Sequence, residues 1–391
     1  PGAPAEERLA RLDGAAVAFG GGEILAVGSE VEVRSTCDCV VAGTVRADGG
    51  VVAPGFVDAH THLVFGGSRV REYSLRLTHT REEVEALGVP TGIAATVEMT
   101  RAEPAHELFA AAVGRLDAML AHGTTTVESK SGYALETAGE LKLLDVNRRL
   151  EEAHEVDVVS TFMGGHDFPA DLSPDAYVAQ IIDEMIPQVA GRDLAAFNDV
   201  FCDDGYYTVD QARRILEAGA RAGLASKIHA DQYSDIGGAE LAADLEVVSA
   251  DHLNFCGSAG LRRMAEAGVT GVLMPLIDFA VQHPRPIRAR DWIEAGLEIA
   301  IGTDLCPGGY AASMPLAVQF SCRWTGLSPA EALTAATLGS ARACGLDDRG
   351  KIEPGALADV QVWDVPTLED MVYRLGHNPV RTVIKRGKVV V

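Results

Sequence analysis

The chain of 391 residues is 47% hydrophobic and 23% charged, with 41 Gly and 17 Pro, an ordinary composition for a soluble globular protein. Its 56 acidic against 33 basic residues give a formal charge of −23, which excludes the basic surface that a nucleic acid would need. Seven Cys without a repeated CxxC pair exclude a zinc ribbon and a disulfide framework. No signal-peptide pattern and no apolar run of about 18 residues is present, so no membrane partner and a cytoplasmic location are expected.

From Ala15 to about Val52, short apolar runs separated by glycine (VAFGGGEILAVGSEVEV) read as small antiparallel strands and turns. The same style returns after Gly345, in GKIEPGALADVQVWDV and TVIKRGKVVV. Residues 1–52 and 346–391 are therefore expected to assemble one composite β-sandwich domain. Between them, residues 53–345 alternate β-type runs with amphipathic helical stretches such as LFAAAVGRLDAMLAHG and VDQARRILEAGARAG. Eight candidate strands follow in order: VVAPGFVDAH, TTTVESK, VVSTFMGG, FNDVFCD, LASKIHAD, VVSADHL, VTGVLMP and EIAIGTD. Eight βα units predict an α/β fold, a (β/α)8 TIM-like barrel, with a doubly wound open sheet as the alternative. Polar residues gather where these runs end, at His60, Lys130, His166, Asp203, His229, His252 and Asp304. In a barrel those ends share one mouth, where active sites lie.

Asp58-Ala59-His60-Thr61-His62 carries the first chemical signal. Residues two apart on a strand share a face, so His60 and His62 are placed to offer two imidazoles to one ion. An isolated HxH is weak evidence, but His229 in KIHAD, His252 in SADHL and Asp304 in IGTD repeat the pattern at later strand ends. Imidazole and carboxylate suit zinc and related ions, and a catalytic site keeps one position open for water. The predicted metal ligands are His60, His62, His229 and Asp304, with His252 beside them.

PGFVDAHTH, the later strand-end His and Asp residues, and the C-terminal run through Gly350, Gly355, Ala358 and Asp359 resemble the amidohydrolase superfamily. Many of its binuclear members carry a carboxylated Lys at the end of the fourth barrel strand. Here Phe201-Cys202-Asp203-Asp204 stands there, which implies a single ion. A wider set of motifs between Pro54 and Gly309 resembles the imidazolonepropionases: HTHLVFGGSRVREY, TTTVESKSGYAL, GGHDFP, FCDDG, KIHAD, SADHL and TDLCPGG. The resemblance implies hydrolysis of the small-molecule substrate 4-imidazolone-5-propanoate to N-formimidoyl-glutamate, with one Zn or Fe ion per chain.

That resemblance also implies substrate contacts at Arg69, Tyr133, His166, Gln232, Cys306, Gly308 and Gly309. Arg69 offers a planar fork to the propanoate carboxylate, Tyr133 a hydrogen bond and a cover for the ring, and His166 a contact to the ring carbonyl or the carboxylate. A bound ion is expected to lower the pKa of water from near 16 towards about 7 and to polarise the ring carbonyl. His252 is then expected to hold the developing oxyanion, and Asp304 to move the proton to the leaving nitrogen, although an exchange of these two roles is open.

Two positions depart from the family pattern. Gln232 stands where many imidazolonepropionases have Glu, and an amide cannot relay a proton. Cys306 stands where Asn is common. Asp203 and Asp204 read as a loop pair that either lines the site or is solvated, and His79, His106, His122, His154, His283 and His377 as structural or solvated. Three other readings stay open: a deaminase of the same superfamily, a hydrolase for a hydantoin-like or thio-substituted ring propionate, and a non-catalytic barrel scaffold. A homodimer through barrel helices is allowed, but no face is marked for it.

Overall fold

A computed structural model describes residues 9–37 and 41–391; residues 1–8 and 38–40, with Cys39, lie outside the described part. Eight parallel strands form the body: β4 (Phe56–Thr61), β5 (Thr124–Lys130), β6 (Asp157–Gly165), β7 (Phe197–Cys202), β8 (Ala225–Ala230), β9 (Ser249–His252), β10 (Thr270–Leu273) and β11 (Glu298–Ile301). Each pairs with its sequence neighbours, and helices fill the connections, as the alternating pattern predicts. The helix Val209–Arg221 shows why those segments fold as they do. Thr208 and Gln211 form a capping box at its start, and Ala212, Ile215, Leu216 and Gly219 bury one face against the sheet.

The sheet curls into a barrel because its two edges meet. The His62 N–H donates to the Leu305 carbonyl at 2.9 Å, and the Asp304 N–H donates to the His60 carbonyl at 3.0 Å. Asp58 braces the same seam, accepting from the Thr303 N–H at 2.9 Å and the Thr303 hydroxyl at 2.6 Å. Gly302 permits the approach, since a Cβ there would lie 2.7 Å from the His60 Cβ. The open-sheet alternative is therefore set aside.

Strands from both ends of the chain build the smaller part. β1 (Ala15–Gly20) and β2 (Glu23–Ser29) form a hairpin, while β3 (Val52–Pro54), β12 (Val360–Trp363), β13 (Val380–Lys385) and β14 (Lys388–Val389) form a four-stranded antiparallel sheet. Ile24, Ala356, Ala358, Val360 and Ile384 share one small apolar core between them. The first candidate strand is thus two strands: VVAPGFVDAH leaves the small sheet at Pro54 and enters the barrel at Phe56. One segment departs from its reading. GSEVEV suggests a strand, but Glu30–Thr36 is a helix, because the Ser29–Glu32 capping box satisfies its first turn and overrides the alternation of Val31 and Val33. No helix among the described residues is long and apolar enough to cross a membrane.

Candidate active site

The strand order brings the predicted ligands to one mouth. His60 is the penultimate residue of β4, His229 lies in β8 and His252 ends β9, whereas Asp304 stands three residues beyond β11. Backbone strain marks this rim: His252, Leu253, Asp304 and Asp231 all hold positive φ (74°, 60°, 49° and 49°), a region that side-chain-bearing residues seldom adopt.

His60, His62 and His229 offer ligand atoms within 4.8 Å of one another, as do His60, His252 and Asp304. Nε2 of His60 and Nε2 of His62 lie 3.7 and 3.8 Å from Oδ1 of Asp304. Those gaps are too long for hydrogen bonds. They suit two ligands that each stand about 2 Å from a shared ion. Among the described residues, Nε2 of His60, Nδ1 of His62, Nε2 of His229, Nδ1 of His252 and Oδ1 of Asp304 are buried without a hydrogen-bond partner. Buried polar atoms are normally paired, so Nε2 of His60, Nε2 of His229 and Oδ1 of Asp304, left unpaired on residues that group by distance, fit a cation site, which His62 faces through its Nε2. Burial pushes His60, His62 and His252 well below the usual imidazole pKa, with neighbouring positive or imidazole groups adding to it. They are neutral at pH 7 and keep the lone pair that ligation requires.

The carboxylates that orient this cluster are ones the sequence analysis did not single out, although it named Lys130 as a strand-end residue. Oδ2 of Asp251 lies 2.7 Å from Nδ1 of His60, and Oδ2 of Asp199 lies 3.1 Å from Nδ1 of His229. Lys130 joins the two carboxylates and also reaches Glu128. Burial alone would lower the Lys130 pKa, but Asp199, Glu128 and Asp251 outweigh it and hold the ammonium well above its ordinary value. A signal did exist in the sequence: charged residues inside otherwise apolar strand runs, as in TTTVESK and FNDVFC.

Above the cluster opens a cavity of about 310 Å3, lined by Arg69, Tyr133, His166, Gln232, Cys306 and Gly308 together with His62, His229, His252 and Asp304. His166 stacks on His62 with ring centroids 4.6 Å apart, and burial lowers its pKa to about 3, so it too is neutral. The main chain of Gln232 is held by His283, whose buried Nε2 lies 3.0 Å from the Gln232 backbone carbonyl. Burial pushes the Cys306 thiol up, away from reactive thiolate character. Gly309 stands apart from its neighbour, packed against Ile277 and Ala280. Asp203 is buried and braces its loop, accepting from the Tyr233 N–H at 2.7 Å, while Asp204 beside it is exposed.

Arg69 is arranged differently from a free fork. Its Nε and Nη2 donate to Glu72 at 2.6 and 2.8 Å, closing a partly buried ion pair. Nη1 is the edge turned towards the cavity, 3.4 Å from the point where a Cβ on Gly308 would sit.

The amidohydrolase family profile matches residues 51–390. Imidazolonepropionase of Geobacillus kaustophilus is 45% identical over 98% of this chain and 91% of its own length. That of Brevibacillus brevis is 48% identical over 90% and 83%. That of Halobacterium salinarum is 40% identical over 100% and 95%. The chain belongs to the amidohydrolase family and, within it, to the imidazolonepropionases. Two solved structures share the fold. An adenosine deaminase from Xanthomonas campestris with bound zinc has a TM-score of 0.74 at 23% identity, covering 99% of this chain and 90% of its own. Atrazine chlorohydrolase from Arthrobacter aurescens complexed with zinc has a TM-score of 0.73 at 18%, covering 96% and 90%.

Proposed function

We propose that this chain opens the ring amide of 4-imidazolone-5-propanoate by hydrolysis, releasing N-formimidoyl-L-glutamate, with one zinc or iron ion held by His60, His62, His229 and Asp304. The observation that carries the reading is the grouping of His60 with His62 and His229 and with Asp304, unpaired buried ligand atoms among them, at a cavity whose wall carries Arg69, Tyr133 and His166. The bound ion would supply an activated water and a polarised ring carbonyl.

The chain's own residues supply the rest. Arg69 binds the propanoate carboxylate through the edge that Glu72 leaves free, so the contact is made from the Nη1 end of the guanidinium rather than from its Nε side. Tyr133 and His166, whose rings lie 5.1 Å apart, enclose the substrate ring and exclude water from one side. Gly308 keeps the wall open beside Arg69, and Cys306 fills the small space below it. His252, with Nδ1 unpaired, stabilises charge on the carbonyl oxygen. Asp304 accepts a proton through the carboxylate oxygen that the ion leaves free and returns it to the leaving ring nitrogen. Gln232 hydrogen-bonds the ring without moving a proton.

A deaminase reading lacks an acidic group at position 232, and a scaffold reading leaves the buried, unpaired ligand atoms of His60, His229 and Asp304 without a purpose. The test is turnover of freshly prepared 4-imidazolone-5-propanoate, followed by loss of ring absorbance, using protein of known metal content. Turnover that chelation abolishes and metal restores is the expected result. Metal-loaded protein that leaves the substrate intact would overturn the assignment.

A further inference from the structure

We propose that Lys130 is a fixed internal cation standing where a second metal ion would otherwise bind, behind His60 and His229, and that it holds the site to one ion. The inference rests on the metal-centre reading above.

Asp199, His229 and Asp251 present ligand atoms within 4.8 Å of one another, a set that would itself suit a divalent cation. In this chain the space between the carboxylates is taken. Nζ of Lys130 lies 2.7 Å from Oδ2 of Asp199, 3.2 Å from Oδ2 of Asp251 and 2.9 Å from Oε1 of Glu128. All four side chains are wholly buried. An ammonium carries three donors on a compact charge, and three carboxylates meet it here. Glu128 and Lys130 stand two apart on β5, which puts both on the barrel's inner face.

The same carboxylates reach the candidate ligands. Asp251 takes Nδ1 of His60 at 2.7 Å, and Asp199 takes Nδ1 of His229 at 3.1 Å. One ammonium therefore sets the orientation of two imidazoles, as an ion bridging the carboxylates would. Lys227, the other buried lysine nearby, does not share this task. Its Nζ is 3.9 Å from Glu128 and donates to the Ala343 carbonyl at 2.8 Å. Without Lys130, Asp199 and Asp251 would face each other with no positive partner, and buried carboxylates in that state recruit a cation or a proton.

The test is metal stoichiometry. Stripped protein is titrated with Zn(II) or Co(II), freed of excess, and analysed for metal per chain and for its melting transition. Wild-type protein is expected to saturate at one ion per chain and Lys130→Ala at two. Since Lys130→Ala leaves three buried carboxylates with only the distant Lys227 ammonium to offset them and is prone to misfold, Lys130→Ala/Glu128→Gln is the second variant; it removes one charge of each sign and leaves the cluster's net charge unchanged. Two ions in either folded variant support the proposal. One ion in every variant that folds overturns it, and so does a second ion in the wild type. Wild-type protein that takes up no ion would instead sink the metal-centre reading itself.

Discussion

Asp251 lies 2.7 Å from Nδ1 of His60, with both side chains fully buried. A carboxylate in that position accepts, so the imidazole proton is held on Nδ1 and Nε2 is left to face Asp304. Asp251→Asn is expected to weaken metal binding by about 10- to 100-fold while the fold is kept. Competition against a chromogenic chelator measures it directly; unchanged affinity would show that the hydrogen bond does not orient the ligand.

Glu72 fixes the Arg69 guanidinium through two charge-assisted hydrogen bonds and is itself held by the Gly92 N–H at 3.2 Å. Arg69→Met is expected to raise KM by about 10- to 100-fold, the equivalent of a charged hydrogen bond worth roughly 1.5–3 kcal/mol, and to change kcat far less. Glu72→Gln should move KM in the same direction, because Arg69 loses its anchor. A KM that falls in Glu72→Gln would mean that Glu72 competes with the substrate instead of positioning its partner.

Gln232 does not titrate, so the wild-type pH profile of kcat should carry no ionisation from this position. Gln232→Ala is expected to lower kcat/KM by about tenfold, the loss of one neutral hydrogen bond, without displacing either limb of the profile. Gln232→Glu should add a new limb on the acid side. Stopped-flow rates across pH 5 to 9, a range of about four units around the imidazole pKa, decide between these outcomes.

Asp157, at the start of β6, clamps the C-terminal strands to the barrel. It receives Lys385 at 2.8 Å and Arg386 at 2.8 Å, and it also pairs with Arg349. Burial raises its pKa, but Lys385, Arg349 and Arg386 outweigh that and leave it below its ordinary value of 3.8. Its contribution to stability is therefore complete above about pH 4 and is lost as pH falls through the depressed folded value. Asp157→Asn should destabilise by about 3 kcal/mol near neutrality, and the penalty should shrink on acidification. Denaturant melts at pH 7 and pH 3 give both numbers; a pH-independent difference would contradict the linkage.

Gly302 faces His60 so closely that a methyl group has no room. Gly302→Ala is expected to cost about 1–3 kcal/mol and to disturb the seam that positions Asp304. Thermal melts of metal-free and metal-loaded protein should show the variant gaining less from the ion than the wild type.

The succession of eight apolar runs with polar ends was legible in the sequence because each strand's pattern is local. A run of TTTVESK or KIHAD carries its burial and its strand-end group within a few residues, and HTH places two imidazoles by the two-residue period alone. Capping was local too, yet it competed with alternation, so the Ser29–Glu32 box turned an apparent strand into a helix. What no single segment contains is the meeting of distant ones. That Asp251 would face His60, that Lys130 would bridge Asp199 and Asp251, and that Glu72 would occupy most of the Arg69 fork depend on where separate strands and helices come to lie. The sequence determined the succession of eight strand-helix units and the candidate ligands at their ends, because periodicity and strand ends are written residue by residue. The tertiary structure decided which charges are paired, and hence which ligand atoms remain free, because pairing between buried groups is settled only when the barrel closes and excludes water.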